Sequence, residues 1–300
     1  MHPRQDLQSG WDASLLDQLG ELTIAVEPDY PERQLNAITT NLRRYGFALL
    51  SGIGTDDDRE TIAGHLIRLS RSLGELVPQS PRCERIEDIK DFSDVESGDD
   101  RGYRSRGEIS PHSDPPTLIL LHCLRLARSG GENQIVNVAS IYRKMCSIDA
   151  GLTRLLFEPL PFWEVEGSSD RQHAGPSSKS RPVLALHNGV LSCVLYRPYV
   201  EMAAKALGRP LDREQVAALD LFETCSRDPE LTLRFGLEPG HTLLLHNRTV
   251  LHARTDYEDW PEMERRRHLL RAWIDAPDLL PVAAEHELGD IFDGNLEFND

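Results

Sequence analysis

The chain has 300 residues, 39% of them hydrophobic, which is enough for a sizeable core. Its 33 basic and 49 acidic residues give a formal net charge of −16, and such a surface repels nucleic-acid phosphates and anionic lipid headgroups. There is no long uncharged apolar run, no signal-peptide core at the N-terminus, and no CxxC pair among the five cysteines. We therefore expect a cytoplasmic protein without nucleic-acid or membrane partners, disulfides or a zinc–thiolate site.

The N-terminal third predicts alternating helix and strand. Residues 1–31 predict an irregular lead-in. Apolar residues at helical spacing then predict two helices, ended by Gly46 and Gly74, with the buried strand FALLSGI between them. Residues 84–100 carry eight acids and two bases, which is typical of a solvated loop. A loop of this length in a compact chain is either disordered or functional, for example as a lid.

From about residue 109 onward, short apolar runs alternate with turn signals, which predicts a β-sandwich or barrel. The runs are TLILLHCL, QIVNV, PVLAL, LSCVLY, LTLRF, HTLLLH and HLLRAWI. The Asn188-Gly189 pair predicts a hairpin and EPGHT a second turn. Asp212 and Gln215 form a capping-box pattern that opens the one helix predicted here, and the polar stretch 167–180 predicts a mobile loop.

The stretch PHSDPP contains a candidate half of a metal site. In an extended segment, His112 and Asp114 point the same way, and the two prolines after them end the strand. Imidazole and carboxylate are two thirds of the facial triad that binds non-heme Fe(II). Taken alone the pattern is weak, because a capping aspartate beside a chance histidine is commoner. A third ligand could come from LLLHNRTVLHART, which offers His246 and His252.

The segment RRRHLLRAWI adds candidate anion contacts. On a strand, Arg267 and Arg271 share one face, and Arg266 and His268 share the other. An arginine that faces into a barrel needs an anion, and a guanidinium matches a carboxylate bidentately. A surface salt bridge is the competing interpretation in so acidic a chain.

Together these features resemble the taurine dioxygenase and clavaminate synthase-like family of Fe(II)/2-oxoglutarate-dependent oxygenases. The resemblance spans most of the chain and includes RRYGFALLSGI, RSLGEL, PHSDPP and ARSGGENQIVNV. Its most specific part is LEPGHTLLLHNRTVLHARTDYE followed by RRRHLLRAWI. It implies a mainly β fold with flanking helices around a double-stranded β-helix, or jelly-roll, core.

The resemblance also assigns site residues. It implies three iron ligands: His112, Asp114 and His252. It implies three cosubstrate-site residues: Arg267 as the clamp on the far carboxylate of 2-oxoglutarate, Arg271 as a second anion contact for cosubstrate or substrate, and Asn133 in place of a threonine. His246 departs from the family pattern and is not preferred as a ligand. Arg266 remains a lesser candidate for the clamp, because the span from His252 to Arg267 is long.

We expect a single oxygenase domain over residues 1–300. Its parts would be a helix and strand support at 1–80, a lid loop at 84–108, a jelly-roll core with an insert at 109–280, and a tail at 281–300.

The implied reaction uses Fe(II), 2-oxoglutarate and O2 to oxidise an unactivated carbon of a small molecule, most simply by hydroxylation, with succinate and CO2 as coproducts. Asp114 disfavours halogenation, since related halogenases have a small residue there. Arg104, Arg106 and Arg197 would favour an anionic or amino-acid-like substrate if any of them faces the iron; they could equally be solvated. Alternatives are desaturation or cyclisation, a cupin-like metalloenzyme that does not use 2-oxoglutarate, and a silent binding protein. An oligomer is compatible with the sequence.

Overall fold

The computed structural model describes residues 10–27, 29–54, 58–79, 84–92, 105–164 and 175–287. The helices are Leu19–Leu22 (α1), Glu32–Tyr45 (α2), Arg59–Leu73 (α3), Val138–Ile148 (α4), Ala150–Leu155 (α5), Arg197–Ala206 (α6) and Arg213–Ser226 (α7). Short 3-10 helices span Ala13–Gln18, Met263–Arg265 and Ala284–His286. The strands are Ile24–Ala25 (β1), Phe47–Ser51 (β2), Glu75–Val77 (β3), Glu87–Lys90 (β4), Ile109–His112 (β5), Leu118–Arg125 (β6), Ser129–Gly130 (β7), Asn133–Asn137 (β8), Leu160–Glu164 (β9), Gly175–Arg181 (β10), Leu184–His187 (β11), Val190–Cys193 (β12), Thr232–Phe235 (β13), Thr242–His246 (β14), Val250–Arg254 (β15), Tyr257–Glu258 (β16) and His268–Asp275 (β17).

The strands β1-β2-β14-β6-β17-β3, in this order, form the major sheet, and β4 also pairs with β17. Because neighbouring residues on a strand point to opposite faces, each central strand contributes to two apolar layers. On one face Leu120 and Leu270 pack against Ile38 of α2 and Leu66 of α3. The side chains on the other face point into the interior of the barrel.

The strands β13-β8-β15-β5 form the minor sheet. Ile135 and Val250 of this sheet belong to the same apolar cluster as Leu243 of the major sheet, so the two sheets pack face to face. On the outer face, Leu251 packs in a cluster with residues of α4, α5, α6 and α7. This confirms the predicted jelly-roll core with flanking helices.

Several local predictions are confirmed. Gly46 ends α2 with a positive φ of 77°, which favours glycine. Asn188 and Gly189, with φ of 48° and 82°, join β11 to β12 in a two-residue hairpin. Asp212 and Gln215 form the capping box of α7.

Three predictions of irregular structure were wrong in part. The lead-in 1–31 contains a 3-10 helix, α1 and β1. Within 84–100, the residues Glu87–Lys90 form β4, because Ile89 is buried and the strand pairs with β17. Of the predicted loop 167–180, residues 167–174 lie outside the described residues, and the remainder belongs to β10, which pairs with β9 despite its polar composition.

The prediction of a single helix after residue 109 was also wrong, since α4, α5 and α6 lie there as well. The signal for α4 was present: Asn137 caps the helix by accepting from the backbone N–H of Ser140, and Val138, Ile141 and Met145 are buried on one face. It was overlooked because the apolar strand QIVNV runs directly into the helix.

Two expected segments lie partly outside the described residues, namely residues 93–104 of the proposed lid and residues 288–300 of the proposed tail. In the ranges that are described, no helix has both the length and the apolar character needed to cross a bilayer.

Candidate active site

Two paired strands of the minor sheet bring the histidines of the site together. In the antiparallel register of β5 and β15, His252 lies opposite His112. Directly opposed residues point to the same face, and the two imidazole centroids are 4.3 Å apart. His252 is also opposite Ile135 of β8, whose side chain is in the core between the sheets. The histidine pair therefore faces into the barrel.

Asp114 completes a cluster of three metal-ligating side chains. Its Oδ1 is 3.7 Å from Nε2 of His112, and its Oδ2 is 3.6 Å from Nε2 of His252. One ligand atom from each residue lies within 4.8 Å of the others. Within the described ranges this is the one such cluster of histidine, cysteine and acidic residues.

The protonation states suit a metal ion. Nδ1 of His112 lies 2.9 Å from the carbonyl oxygen of Ser110, so Nδ1–H donates there and Nε2 is the nitrogen left to face a metal. Burial, followed by the proximity of His112, lowers the pKa of His252 to about 3. Burial alone would raise the pKa of Asp114, but His252, Arg271 and His112 outweigh it and the pKa lies below its usual value. Neutral imidazoles and a carboxylate are the donor set of a facial triad.

Arg271 lies behind the carboxylate. Its Nη1 is 3.8 Å from Oδ2 of Asp114. Its Nε donates to Oε1 of Gln79 at 2.7 Å, and its Nη2 donates to Oε2 of Glu87 at 3.3 Å. This fixed guanidinium stabilises the ionised form of Asp114, because an adjacent cation favours a carboxylate.

Three buried polar groups farther along the barrel lack acceptors. Nη1 of Arg267, Nε of Arg254 and the hydroxyl of Tyr257 have no hydrogen-bond partner in the described part of the chain. The guanidinium carbons of Arg254 and Arg267 are 4.8 and 5.4 Å from the centroid of the Tyr257 ring. Burial lowers the pKa of both arginines, that of Arg254 to about 10. Buried donors without acceptors are rare in proteins, and this trio fits an anion such as the far carboxylate of 2-oxoglutarate.

The segment before β8 leaves room for the trio. Gly131 has a φ of 73°, and a Cβ there would lie 3.1 Å from Nε and 3.3 Å from Cδ of Arg267. Asn133 is buried at the start of β8, opposite Arg254 and on the same face as His252. The structure thus brings all six residues expected at the site to the inner face of the barrel or to its edge.

Two weaker candidates lie elsewhere. His246 is fully buried on the opposite face of the major sheet, where its Nδ1 is 3.1 Å from Oγ1 of Thr249. Arg266 donates to the backbone carbonyls of Trp260, Asp91 and Pro261.

The two candidate substrate-binding arginines that the structure describes, Arg106 and Arg197, are paired with acidic side chains. Arg106 is paired with the buried Asp91. Arg197 forms ion pairs with Glu201, Asp220 and Glu223. Arg104 lies outside the described residues.

Arg254 and Tyr257 were missed by the sequence analysis. Arg254 follows His252 by two residues on a strand, so the alternation that paired His112 with Asp114 also predicts an inward Arg254. For Tyr257 no comparable signal exists, because β16 has only two residues.

Comparisons with known proteins agree with this geometry. Residues 7–273 match the family model described as "Taurine catabolism dioxygenase TauD, TfdA family". The FR-33289 synthase of Streptomyces rubellomurinus is 28% identical over 239 residues, covering 77% of this chain and 69% of that protein. A uridine-5'-phosphate dioxygenase of an Amycolatopsis species is 27% identical over 261 residues, covering 80% and 89%.

Solved structures show the same fold. An asparagine oxygenase in complex with Fe(II), 2S,3S-3-hydroxyasparagine and succinate superposes with a TM-score of 0.62 at 14% identity, covering 88% of this chain and 90% of that one. The non-heme iron oxygenase OrfP in complex with Fe and alpha-ketoglutaric acid gives 0.62 at 17% identity, covering 88% and 85%. The family match covers most of the chain, and the site contains its His-Asp-His ligand set. The chain therefore belongs to the TauD/TfdA family and is an Fe(II)/2-oxoglutarate-dependent oxygenase.

Proposed function

We propose that this oxygenase hydroxylates an unactivated carbon of a small molecule that carries an anionic group. Fe(II) would be bound by His112, Asp114 and His252, and the far carboxylate of 2-oxoglutarate by Arg267. The observation that carries the proposal is that a complete ligand cluster and a buried guanidinium, whose Nη1 has no partner among the described residues, occur inside one barrel. A cupin-like enzyme without 2-oxoglutarate would have no use for the second feature.

The protein residues bind and orient. When bound, Fe(II) and 2-oxoglutarate supply the oxidising power, O2 being reduced as the keto acid loses CO2 and becomes succinate. His112, Asp114 and His252 would hold the ion with three protein ligands and leave further positions for the cosubstrate. Arg254 and Tyr257 would hold the far carboxylate of the cosubstrate together with Arg267. The side-chain amide of Asn133, on the barrel-facing side of β8, would donate a hydrogen bond to the cosubstrate. Because Asp114 supplies the third protein ligand, a halide would have no vacated position, which favours oxygenation over halogenation.

The substrate class rests on relatives and on the surroundings of His112. The names of the compared proteins include a uridine phosphate, asparagine and L-Arg, each of which carries a phosphate or carboxylate. Tyr196 is 37% exposed, and its ring centroid is 6.0 Å from that of His112. Tyr199 stacks edge-on against Tyr196 at 4.6 Å. We assign this tyrosine pair to the wall of the substrate pocket, where it would contact the apolar part of the substrate.

The test has two stages. The metal-free protein is mixed anaerobically with Fe(II) and 2-oxoglutarate, and we expect a weak visible charge-transfer band. Amino acids, nucleotides and phosphonates are then screened for stimulated succinate formation in air. A product that has gained one oxygen atom supports hydroxylation, whereas a product that has lost two hydrogen atoms would replace it with desaturation. Folded protein that shows no band would refute the assignment of the cosubstrate site.

A further inference from the structure

The turn between β14 and β15, residues 247–249, is buried and contains a charged side chain. Arg248 is 1% exposed. Its Nε donates to the carbonyl oxygen of His286 at 2.8 Å, its Nη1 to that of Asp114 at 3.0 Å, and its Nη2 to that of Pro115. All three hydrogen bonds therefore go to backbone carbonyls, one of them in the metal ligand Asp114 itself.

Asn247 extends the same pattern along the metal-binding loop. Its side-chain Nδ2 donates to the carbonyl of Pro116 at 3.1 Å, and its backbone N–H donates to the carbonyl of Thr117 at 2.9 Å. Four successive carbonyls, from Asp114 to Thr117, thus accept hydrogen bonds from two adjacent residues. We call residues 114–117 the carboxylate loop.

The carboxylate loop needs external donors because of its composition. Pro115 and Pro116 have no backbone N–H, so the loop cannot be fixed by its own ladder of hydrogen bonds. Its carbonyls, if buried without donors, would be costly. The guanidinium is planar and presents its N–H groups at fixed angles, so it sets the direction of the two adjacent carbonyls that it binds.

We propose that Arg248 is a positioning residue for the metal site, one that holds the backbone of the carboxylate loop so that Asp114 aims at the two histidines. The turn that contains Arg248 leads directly into β15, which carries His252 four residues later. The Arg248 side chain thereby fixes the position of the Asp114 carboxylate relative to β15, the strand that carries His252. The inference rests on the proposed function only in taking His112, Asp114 and His252 as the metal ligands.

Co(II) binding to the metal-free protein tests this role without turnover. Arg248→Met and Arg248→Lys are compared with the wild type by titration, followed through the visible absorption of bound Co(II), at a temperature where circular dichroism shows each protein folded. Loss of groups that orient metal ligands typically weakens metal binding about 10- to 100-fold. We expect that loss for Arg248→Met and a smaller one for Arg248→Lys, since an ammonium cannot bind two carbonyls in the fixed geometry of the fork.

Leu219→Ala is the matched control, because Leu219 is fully buried in α7 and packs in the apolar cluster on the outer face of the minor sheet, away from the barrel interior. It should lower the melting temperature and leave the Co(II) affinity unchanged. Should the Arg248 variants not fold, Asn247→Ala removes only the side-chain bond to Pro116 and should still weaken Co(II) binding several-fold. Wild-type protein that fails to bind Co(II) would refute the metal site itself. Variants that bind Co(II) as tightly as Leu219→Ala would refute the role of Arg248 alone.

Discussion

Arg267→Met should separate cosubstrate binding from protein stability. Arg267 is 5% exposed and its Nη1 lacks an acceptor, so the ligand-free protein contains an incompletely satisfied buried cation. Methionine has a similar reach without charge. Truncating one partner of a buried, hydrogen-bonded charge pair costs about 2–5 kcal/mol, which is a roughly 30- to 4,000-fold weaker 2-oxoglutarate affinity at about 1.4 kcal/mol per factor of ten. The stability of the ligand-free protein should stay the same or rise, because an unpaired buried charge is removed.

Thermal unfolding measures both effects in one experiment. Co(II)-loaded protein is heated without O2, with and without 2-oxoglutarate at about 100 times the wild-type Kd, where ligand binding stabilises by about 2.7 kcal/mol. An unfolding entropy of about 2.1 cal/mol/K per residue converts this, over 300 residues, into an increase of about 4 °C. A 100-fold weaker variant would gain only about 0.4 kcal/mol, or less than about 1 °C.

Arg266→Met is the matched control, since Arg266 is equally buried but donates to the carbonyls of Trp260 and Asp91. It should lower the melting temperature of the ligand-free protein and keep the full increase with 2-oxoglutarate. The reasoning would be refuted if Arg267→Met kept the increase of about 4 °C, and the clamp would be reassigned if Arg266→Met lost it.

His252→Ala should weaken Co(II) binding by at least about 100-fold, since it removes a metal ligand. His246→Gln should bind Co(II) as tightly as the wild type, because His246 lies on the outer face of the major sheet. An equal loss of Co(II) affinity in both variants would contradict the ligand assignment. Burial lowers the pKa of His246 to about 3, against 6.5 for an exposed imidazole, so the unfolded chain binds a proton that the folded protein refuses. The free energy of unfolding should therefore fall as the pH drops from about 6.5 towards 3, by up to about 1.4 kcal/mol per pH unit for this group, and denaturant titrations of His246→Gln should lack that part of the slope. Gly131→Ala should weaken 2-oxoglutarate binding, because the added Cβ would displace Arg267. Gly208→Ala is the control: Gly208 also has a positive φ but lies in open space, so this variant should have the same backbone strain and the wild-type affinity for 2-oxoglutarate.

The pair His112 and Asp114 could be predicted from the sequence because short-range geometry determines how the two side chains point. His112 and Asp114 alternate on an extended segment, and the double proline marks its end. The resemblance favoured His252 over His246 as a ligand. The structure adds the physical reason: His252 points into the barrel from β15, whereas His246 points to the outer face of the major sheet from β14. That reason depends on the pairing of β15 with β5, a contact between residues about 140 positions apart that no local pattern encodes.

The rest of the site was harder to predict from the sequence, because it too depends on contacts between residues far apart in the chain. The role of Arg248 depends on carbonyls of the carboxylate loop, and backbone acceptors carry no sequence signature. β4 was mistaken for loop because its charges outnumber its apolar residues, although the buried Glu87 is stabilised there by Arg271 of the neighbouring strand. A charged residue within a strand can thus indicate a buried partner as well as solvent.

The antiparallel register of His112 and His252 has a consequence for how the site tolerates change. Both histidines belong to a hydrogen-bonded ladder, whereas Asp114 lies beyond the end of that ladder on a loop attached mainly through the side chains of Asn247 and Arg248. Mutations in this region should therefore displace the three ligands by different amounts. The spacing of the imidazoles is set by the sheet and should persist, so the carboxylate is the ligand whose position evolution or design can adjust without unfolding the barrel.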